Sequence, residues 1–392
     1  MPRDRPLQLI RAIARIAAAS LLVLALWPAG AGAHAAFADA NPDPGARLAA
    51  APAQITLVFS EPLDHALTTA RLVGARAGQQ IRAAVSFGAG NTIVLRPAHR
   101  LTTGAYQVRW HTVSIRDGHS LDGGFGFGVR TSVVGGGAQL QQSPLAGGGW
   151  LRVALTTAWY LGLFFFGGEL LCGVILASPT GPAGWLLAGE SSNAVAPGTR
   201  PEAALARIWA RTRLSGWVAA AAGFSVALAE TQDAAGSLSW HSIDAYLLST
   251  VSGSARLIAA AGVLLAVLLA SRALRAAVVC LLIALAAVAV GGHANSASPH
   301  ALALLSDWAH LVAAVIWVGG IAQIAATWRP QLSRMALAER RRVMRDVLDR
   351  FGRVAVPAFA VVLVAGGANA LIELGSVRQL WQSTYGRVLI VK

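Results

Sequence analysis

Tyr106-Gln107-Val108-Arg109-Trp110-His111 is the stretch whose reading decides the fold of the first part of this chain. Large apolar residues alternate strictly with polar ones, which is the period of a β-strand buried on one face. Working outward, Ile55, Leu57 and Phe59 alternate with Thr56, Val58 and Ser60. Phe125, Phe127 and Val129 alternate with glycines, and Gly, Pro and Asn turns separate the runs. Residues 34–130 are enough for one sandwich around a single core. They contain no cysteine, so no disulfide staples them, although an exported location would permit one.

Two features of this segment carry chemistry. Ser114-Ile115-Arg116-Asp117-Gly118-His119 sets a carboxylate and an imidazole two residues apart. On an extended strand positions i and i+2 share a face, so Asp117 and His119 can grip one ion together. The bland alternative is a turn with a solvated histidine. The second feature is the start of the chain. Arg3, Arg5, Arg11 and Arg15 precede an apolar stretch from Ile16 to Trp27, and Ala31-Gly32-Ala33 supplies small residues, so residues 1–33 read as a secretory signal peptide. Cleavage after Ala33 makes His34 the first residue. A free amine beside an imidazole chelates divalent ions, Cu(II) foremost in the Irving–Williams order. Together the two features raise the metal reading above the bland one.

The residues around them resemble the CopC family of periplasmic copper-binding proteins: His34 onward, Asn41 to Leu48, Phe59-Ser60-Glu61-Pro62-Leu63, and Ser114 to Val129 with Gly124-Phe125-Gly126-Phe127. The resemblance implies a Greek-key β-sandwich, immunoglobulin- or cupredoxin-like, that binds Cu(II) through His34, Asp117 and His119. Some members add a methionine-rich Cu(I) site. Here the methionines are Met1, Met335 and Met344, so that site is not expected. Arg116 stands where a small residue is commoner in the family.

The whole chain, 55% hydrophobic and 13% charged with a mean hydropathy of +0.56, is too apolar for a soluble protein. A net charge of +14 invites a nucleic-acid partner, but the arginines sit in the signal and in loops flanking apolar runs, where they set membrane topology. Cys172 and Cys280 lie singly in apolar spans and read as small buried hydrophobes. Residues 131–149 read as a flexible linker. Residues 150–392 read as an all-α transmembrane helix bundle. Six spans are expected near 150–177, 205–229, 255–271, 275–292, 304–327 and 353–374, with the third and fourth forming a hairpin. A seventh begins at Tyr385 and breaks off at Lys392, so the chain reads as truncated. The loops at 178–204, 272–275 and 328–352, with the adjoining helix starts, carry fourteen arginines, whereas those at 230–254, 293–303 and 375–386 carry only Arg378. The first set is therefore cytoplasmic. The expected location is a bacterial inner membrane, multi-pass, with the sandwich periplasmic.

Topology puts His241, His293, His300 and His310 at or near the outer face. Asp307 and His310, at i and i+3, share a helix face, and an ionisable group inside a span is a functional candidate. The bland reading makes them a helix-stabilising pair. Gly292-His293-Ala294, Asp307-Trp308-Ala309-His310-Leu311, Trp317-Val318-Gly319-Gly320 and Thr384 to Lys392 resemble the CopD family of copper-handling membrane proteins. That resemblance implies copper uptake. A second copper site built around His310 with His293 and Asp307 is expected because these polar groups cluster on the outer face, where the sandwich sits. The expected function is capture of Cu(II) in the periplasm and its transfer to the membrane part for import or homeostasis. The expected partners are the copper ion, the lipid bilayer and a periplasmic copper donor or reductase, with no nucleic acid. No nucleophile–base pair, phosphate loop or nucleotide motif stands out, so catalysis is not expected. Two rivals stand beside this reading: a haem-binding electron carrier with His293 and His310 as axial ligands, and a membrane-anchored copper buffer for resistance.

Overall fold

A computed structural model describes residues 36–74, 79–133, 137, 139–140, 149–176, 201–333, 336–374, 378–382, 386–387 and 390. The signal peptide, His34, most of the linker, most of the loop at 178–204 and the start of a seventh span lie outside the described residues.

The alternating segments form strands as their period requires. One sheet runs β1 (Phe37–Asn41), β3 (Ile55–Phe59), β7 (Thr92–Pro97), β6 (Ala83–Phe87). The other runs β10 (Gln139–Leu140), β9 (Ser120–Val129), β8 (Gly104–Val113), β4 (Thr69–Gly74), β5 (Gln80–Ile81), with β2 (Arg47–Leu48) parallel to β9. The pairing of Trp110 with Gly123 and of Val108 with Phe125 fixes the β8–β9 register. Ile55, Leu57, Phe59, Tyr106, Val108, Trp110, Phe125, Phe127 and Val129 are all buried in one core, as the alternation predicts. Each fully buried large side chain there contributes about 1.5–3 kcal/mol. The aromatic members meet in specific geometries, with Phe37 stacked on Trp110 at 5.0 Å and 19°. Gln139 and Leu140 fall within the expected linker, yet they pair antiparallel with Gly124 and Gly123. The open edge of β9 has unpaired backbone groups, and even a glycine-rich segment can satisfy them.

The second part is helical: α1 (Gly149–Leu176), α2 (Pro201–Ala235), α3 (Trp240–Ile243, continued by a π-turn to Leu248), α4 (Val251–Leu269), α5 (Leu274–Val290), α6 (His300–Ala314) and α7 (Leu337–Leu374). Five of the helical segments are long and apolar enough to cross a membrane, and α5 is a shorter apolar helix. The helix of α6 continues past two π-turns, at Val315–Gly319 and Ile324–Trp328. At the first π-turn Gly319 lies against Gly168 of α1, so closely that a side chain on either would strike the other's backbone. Small residues at such a crossing let helices pack without a hydrophobic driving force.

α7 begins sixteen residues before the span expected from 353. The expectation followed continuous apolar sequence, but Val343, Val347, Phe351 and Ala355 recur every fourth residue and pack as one stripe against Trp317, Ile321 and Ile324. An amphipathic period of that kind sustains a helix through the arginines between Arg340 and Arg353.

The sandwich sits on the end of the bundle formed by the α2–α4 and α5–α6 connections. Leu67 and Val113 of the sandwich form one apolar cluster with Ala227, Ala234, Tyr246 and Leu247 of the helices. These are the loops that arginine counting assigned to the side opposite the cytoplasm.

Candidate metal centre at the domain junction

Asp117, Gly118 and His119 are not in an extended strand, as the sequence reading supposed. They lie in the turn between β8 and β9. An isolated bridge from Leu63 to Ser114 ends the strand pairing. The Gly118 N–H then donates to the Ser114 carbonyl at 3.0 Å, and the Ser114 N–H donates to the His119 carbonyl at 3.0 Å. Gly118 has φ +70°, in the left-handed region that glycine enters without a Cβ penalty. The carboxylate and imidazole still converge, because the turn folds back on itself. The His119 backbone N–H donates to Asp117 Oδ1 at 3.1 Å, and His119 Nδ1 lies 3.2 Å from Asp117 Oδ2. The Asp117 side chain is wholly buried, while that of His119 is 43% exposed.

A third group arrives from the membrane part. After α5, Gly292 leads into a single 3-10 turn, His293–Asn295. The His293 ring stacks on His119, with centroids 5.2 Å apart and 23° between planes. His293 Nδ1 lies 3.9 Å from Asp117 Oδ2. Ligand atoms of Asp117, His119 and His293 all fall within 4.8 Å of one another. Among the described residues this is the one grouping of three or more such side chains within reach of a single ion.

Polar contacts across the junction hold the turn. Ser252 Oγ, at the start of α4, donates to the Asp117 carbonyl at 2.7 Å and lies 3.3 Å from the Gly291 carbonyl. Asn295 Nδ2 donates to the Arg116 carbonyl, and Arg116 donates to the Ser296 carbonyl at 3.1 Å. Arg116, the residue at odds with the family pattern, thus reaches across to the bundle. Beneath the turn the Tyr246 hydroxyl donates to Glu230 Oε2 at 3.5 Å, and Glu230 pairs with Arg256. Burial, and then the Glu230 carboxylate, push the Tyr246 hydroxyl up to about 12. A second tie stands further along β8. His111 Nδ1 is 2.8 Å from Asp122 Oδ1, and its Nε2 is 3.0 Å from the Ala234 carbonyl of α2. The Asp122 hydrogen bond is the largest influence raising the His111 pKa, and the same bond lowers that of Asp122.

Of the expected ligands, Asp117 and His119 come together and His34 lies outside the described residues. The expected membrane grouping of His293, Asp307 and His310 is not among the clusters within ligand reach. Asp307 accepts from Asn369 Nδ2 at 3.3 Å, and His310 Nδ1 lies 3.1 Å from the Val362 carbonyl beside Gly366. His293 has instead turned to the sandwich, because the chain leaves α5 at Gly291-Gly292 on the bundle end that the sandwich covers. His300 pairs with Asn295 Oδ1 at 2.9 Å, and His241 is exposed on α3. Sequence reasoning missed Ser252, Asn295 and Tyr246. Their signal was their place in the two outer connections, with no motif attached.

The CopC domain family matches residues 37–130, and the family described as Copper resistance protein D matches residues 345–392. Copper resistance protein C of Pseudomonas syringae pv. tomato is 40% identical over 120 residues, which cover 29% of this chain and 90% of that protein. The chain belongs to the CopC family. Copper transport protein CutJ of Bacillus subtilis (strain 168) is 25% identical over 401 residues, covering 95% of this chain and 67% of that protein, so the similarity runs through both parts of the chain. Among solved structures, PcoC, a methionine-rich copper resistance protein from Escherichia coli, is 31% identical and covers 25% of this chain and 99% of its own, with a TM-score of 0.23. The helical part of this chain, with five helices among the described residues long and apolar enough to cross a membrane, is similar to copper resistance and copper transport proteins.

Proposed function

We propose that the sandwich captures Cu(II) on the periplasmic side of a bacterial inner membrane and passes it to the helical part for import. The observation that carries this reading is the donor set. Two imidazoles and a carboxylate, all nitrogen and oxygen donors, suit Cu(II) among the first-row ions. His34 is the proposed further ligand, through its imidazole and, after signal cleavage, its amine. Ala36, two residues on, donates its N–H to Ser60 Oγ at 2.9 Å and accepts from the Ser60 N–H at 2.8 Å. In the same segment Pro62 accepts from the N–H of Ile115 in the turn at 3.1 Å. Two residues of extended chain span about 7 Å, which is the reach of the amino terminus from that anchor.

Cellular copper tests the reading. Cells expressing the full chain should accumulate copper above vector controls, and Asp117→Ala at equal expression should abolish the gain. Expression of the wild-type chain with no gain in cytoplasmic copper would overturn import and leave a membrane-anchored buffer.

A further inference from the structure

We infer that His293 is a ligand which the membrane part lends to the sandwich's copper site, so that the ion is bound at the junction and handed over there. The inference rests on the Cu(II) reading of Asp117 and His119 and adds where the ion goes next. Asp117 Oδ1 is held by the His119 backbone, so Oδ2 is the oxygen turned toward both imidazoles, at 3.2 Å from His119 Nδ1 and 3.9 Å from His293 Nδ1. Neighbouring donors around an ion bound at about 2.0–2.1 Å are roughly 2.8–3.4 Å apart. The Asp117–His119 pair already meets that spacing. His293 needs to close by about 0.5–1 Å by the same measure, within the reach of a side-chain adjustment.

The two halves of the site are tied to each other rather than placed side by side. Ser252 bridges the carbonyls of Asp117 and Gly291, and across the same seam Asn295 donates to the Arg116 carbonyl while Arg116 donates to the Ser296 carbonyl. The His293 carbonyl accepts from Ser296 Oγ at 2.9 Å, which fixes the short turn that presents the ring. His293 is 44% exposed and His119 43% exposed, so both rings border solvent, while Nδ1 of His119 is buried on the Asp117 side. An ion caught by Asp117 and His119 therefore meets a further imidazole anchored in the membrane part. His293 can join before Asp117 or His119 lets go, so transfer does not require the ion to become bare.

The test uses the full chain in detergent, with Cu(II) alone as probe. Affinity is measured by titration and coordinated imidazoles are counted by pulsed electron paramagnetic resonance. His293→Ala should remove one imidazole from the count and weaken binding by about tenfold or more, the loss typical of disturbing even a ligand's supporting contacts. His241→Ala, at an exposed histidine of α3 in the other outer connection, should match the wild type. Wild-type imidazole count and affinity in His293→Ala, with loss in His119→Ala, would overturn this inference and leave the sandwich site standing. Wild-type binding in both His119→Ala and Asp117→Ala would overturn the Cu(II) reading itself.

Discussion

Replacing Gly118 by alanine perturbs the junction at its tightest point. Two separate costs follow from the structure. The first is conformational: φ +70° puts an alanine in the left-handed region, at about 1–2 kcal/mol. The second is steric. A Cβ on residue 118 would sit 2.8 Å from Ser252 Cβ and 3.0 Å from both Ser252 Oγ and the Tyr246 hydroxyl. Ser252 and Asp117 are fully buried, so the turn has to withdraw and stretch the Ser252–Asp117 hydrogen bond, at about 1–3 kcal/mol for buried groups left unsatisfied. Gly90→Ala isolates the first cost, because Gly90 has φ +51° with nothing within 4 Å of its would-be Cβ. Calorimetry of the full chain should show the sandwich transition falling by roughly 4–8 °C per kcal/mol, about twice as far for Gly118→Ala as for Gly90→Ala. Cu(II) affinity should drop at least about tenfold in Gly118→Ala, one decade per 1.4 kcal/mol, and hold in Gly90→Ala. Equal transition temperatures for the two variants, with unchanged copper affinity, would refute the claim that the turn is wedged against α4.

The His111 tie should make docking depend on pH. Because the His111 pKa is raised, its stabilisation is complete below the ordinary histidine value of 6.5 and is lost as pH rises through the raised value; because that of Asp122 is lowered, its share is present above 3.8 and is lost as pH falls through the lowered value. Thermal stability of the full chain should therefore decline as pH rises above 6.5, with a shallower decline in His111→Gln; parallel profiles would remove the tie. Phe125→Ala, at 1% exposure among Phe37 and Trp110, should cost about 3–5 kcal/mol in the sandwich transition, and a loss under 1 kcal/mol by calorimetry would contradict the packing.

The sequence by itself determined the local structure and the class of chemistry. Alternation in Tyr106–His111, Ile55–Phe59 and Phe125–Val129 dictates strands buried on one face, because a period of two leaves no other way to hide those side chains. Apolar length dictates helices long enough to cross a membrane. Asp117 and His119 were legible as a pair because they are close in the chain, although a left-handed turn at Gly118, and not a strand, brings them together. Only the tertiary structure decided the partner of that pair. Residues 117 and 293 are separated by a linker and four long helices, and no spacing rule connects them. His293 is equally compatible in sequence with His310, with a haem or with solvent. Packing of Val113 and Leu67 on Tyr246 and Leu247 sets the sandwich's position, and the Ser252 and Asn295 hydrogen bonds set its rotation. Once both are fixed, the Asp117 carboxylate faces the exit of α5, where His293 stands.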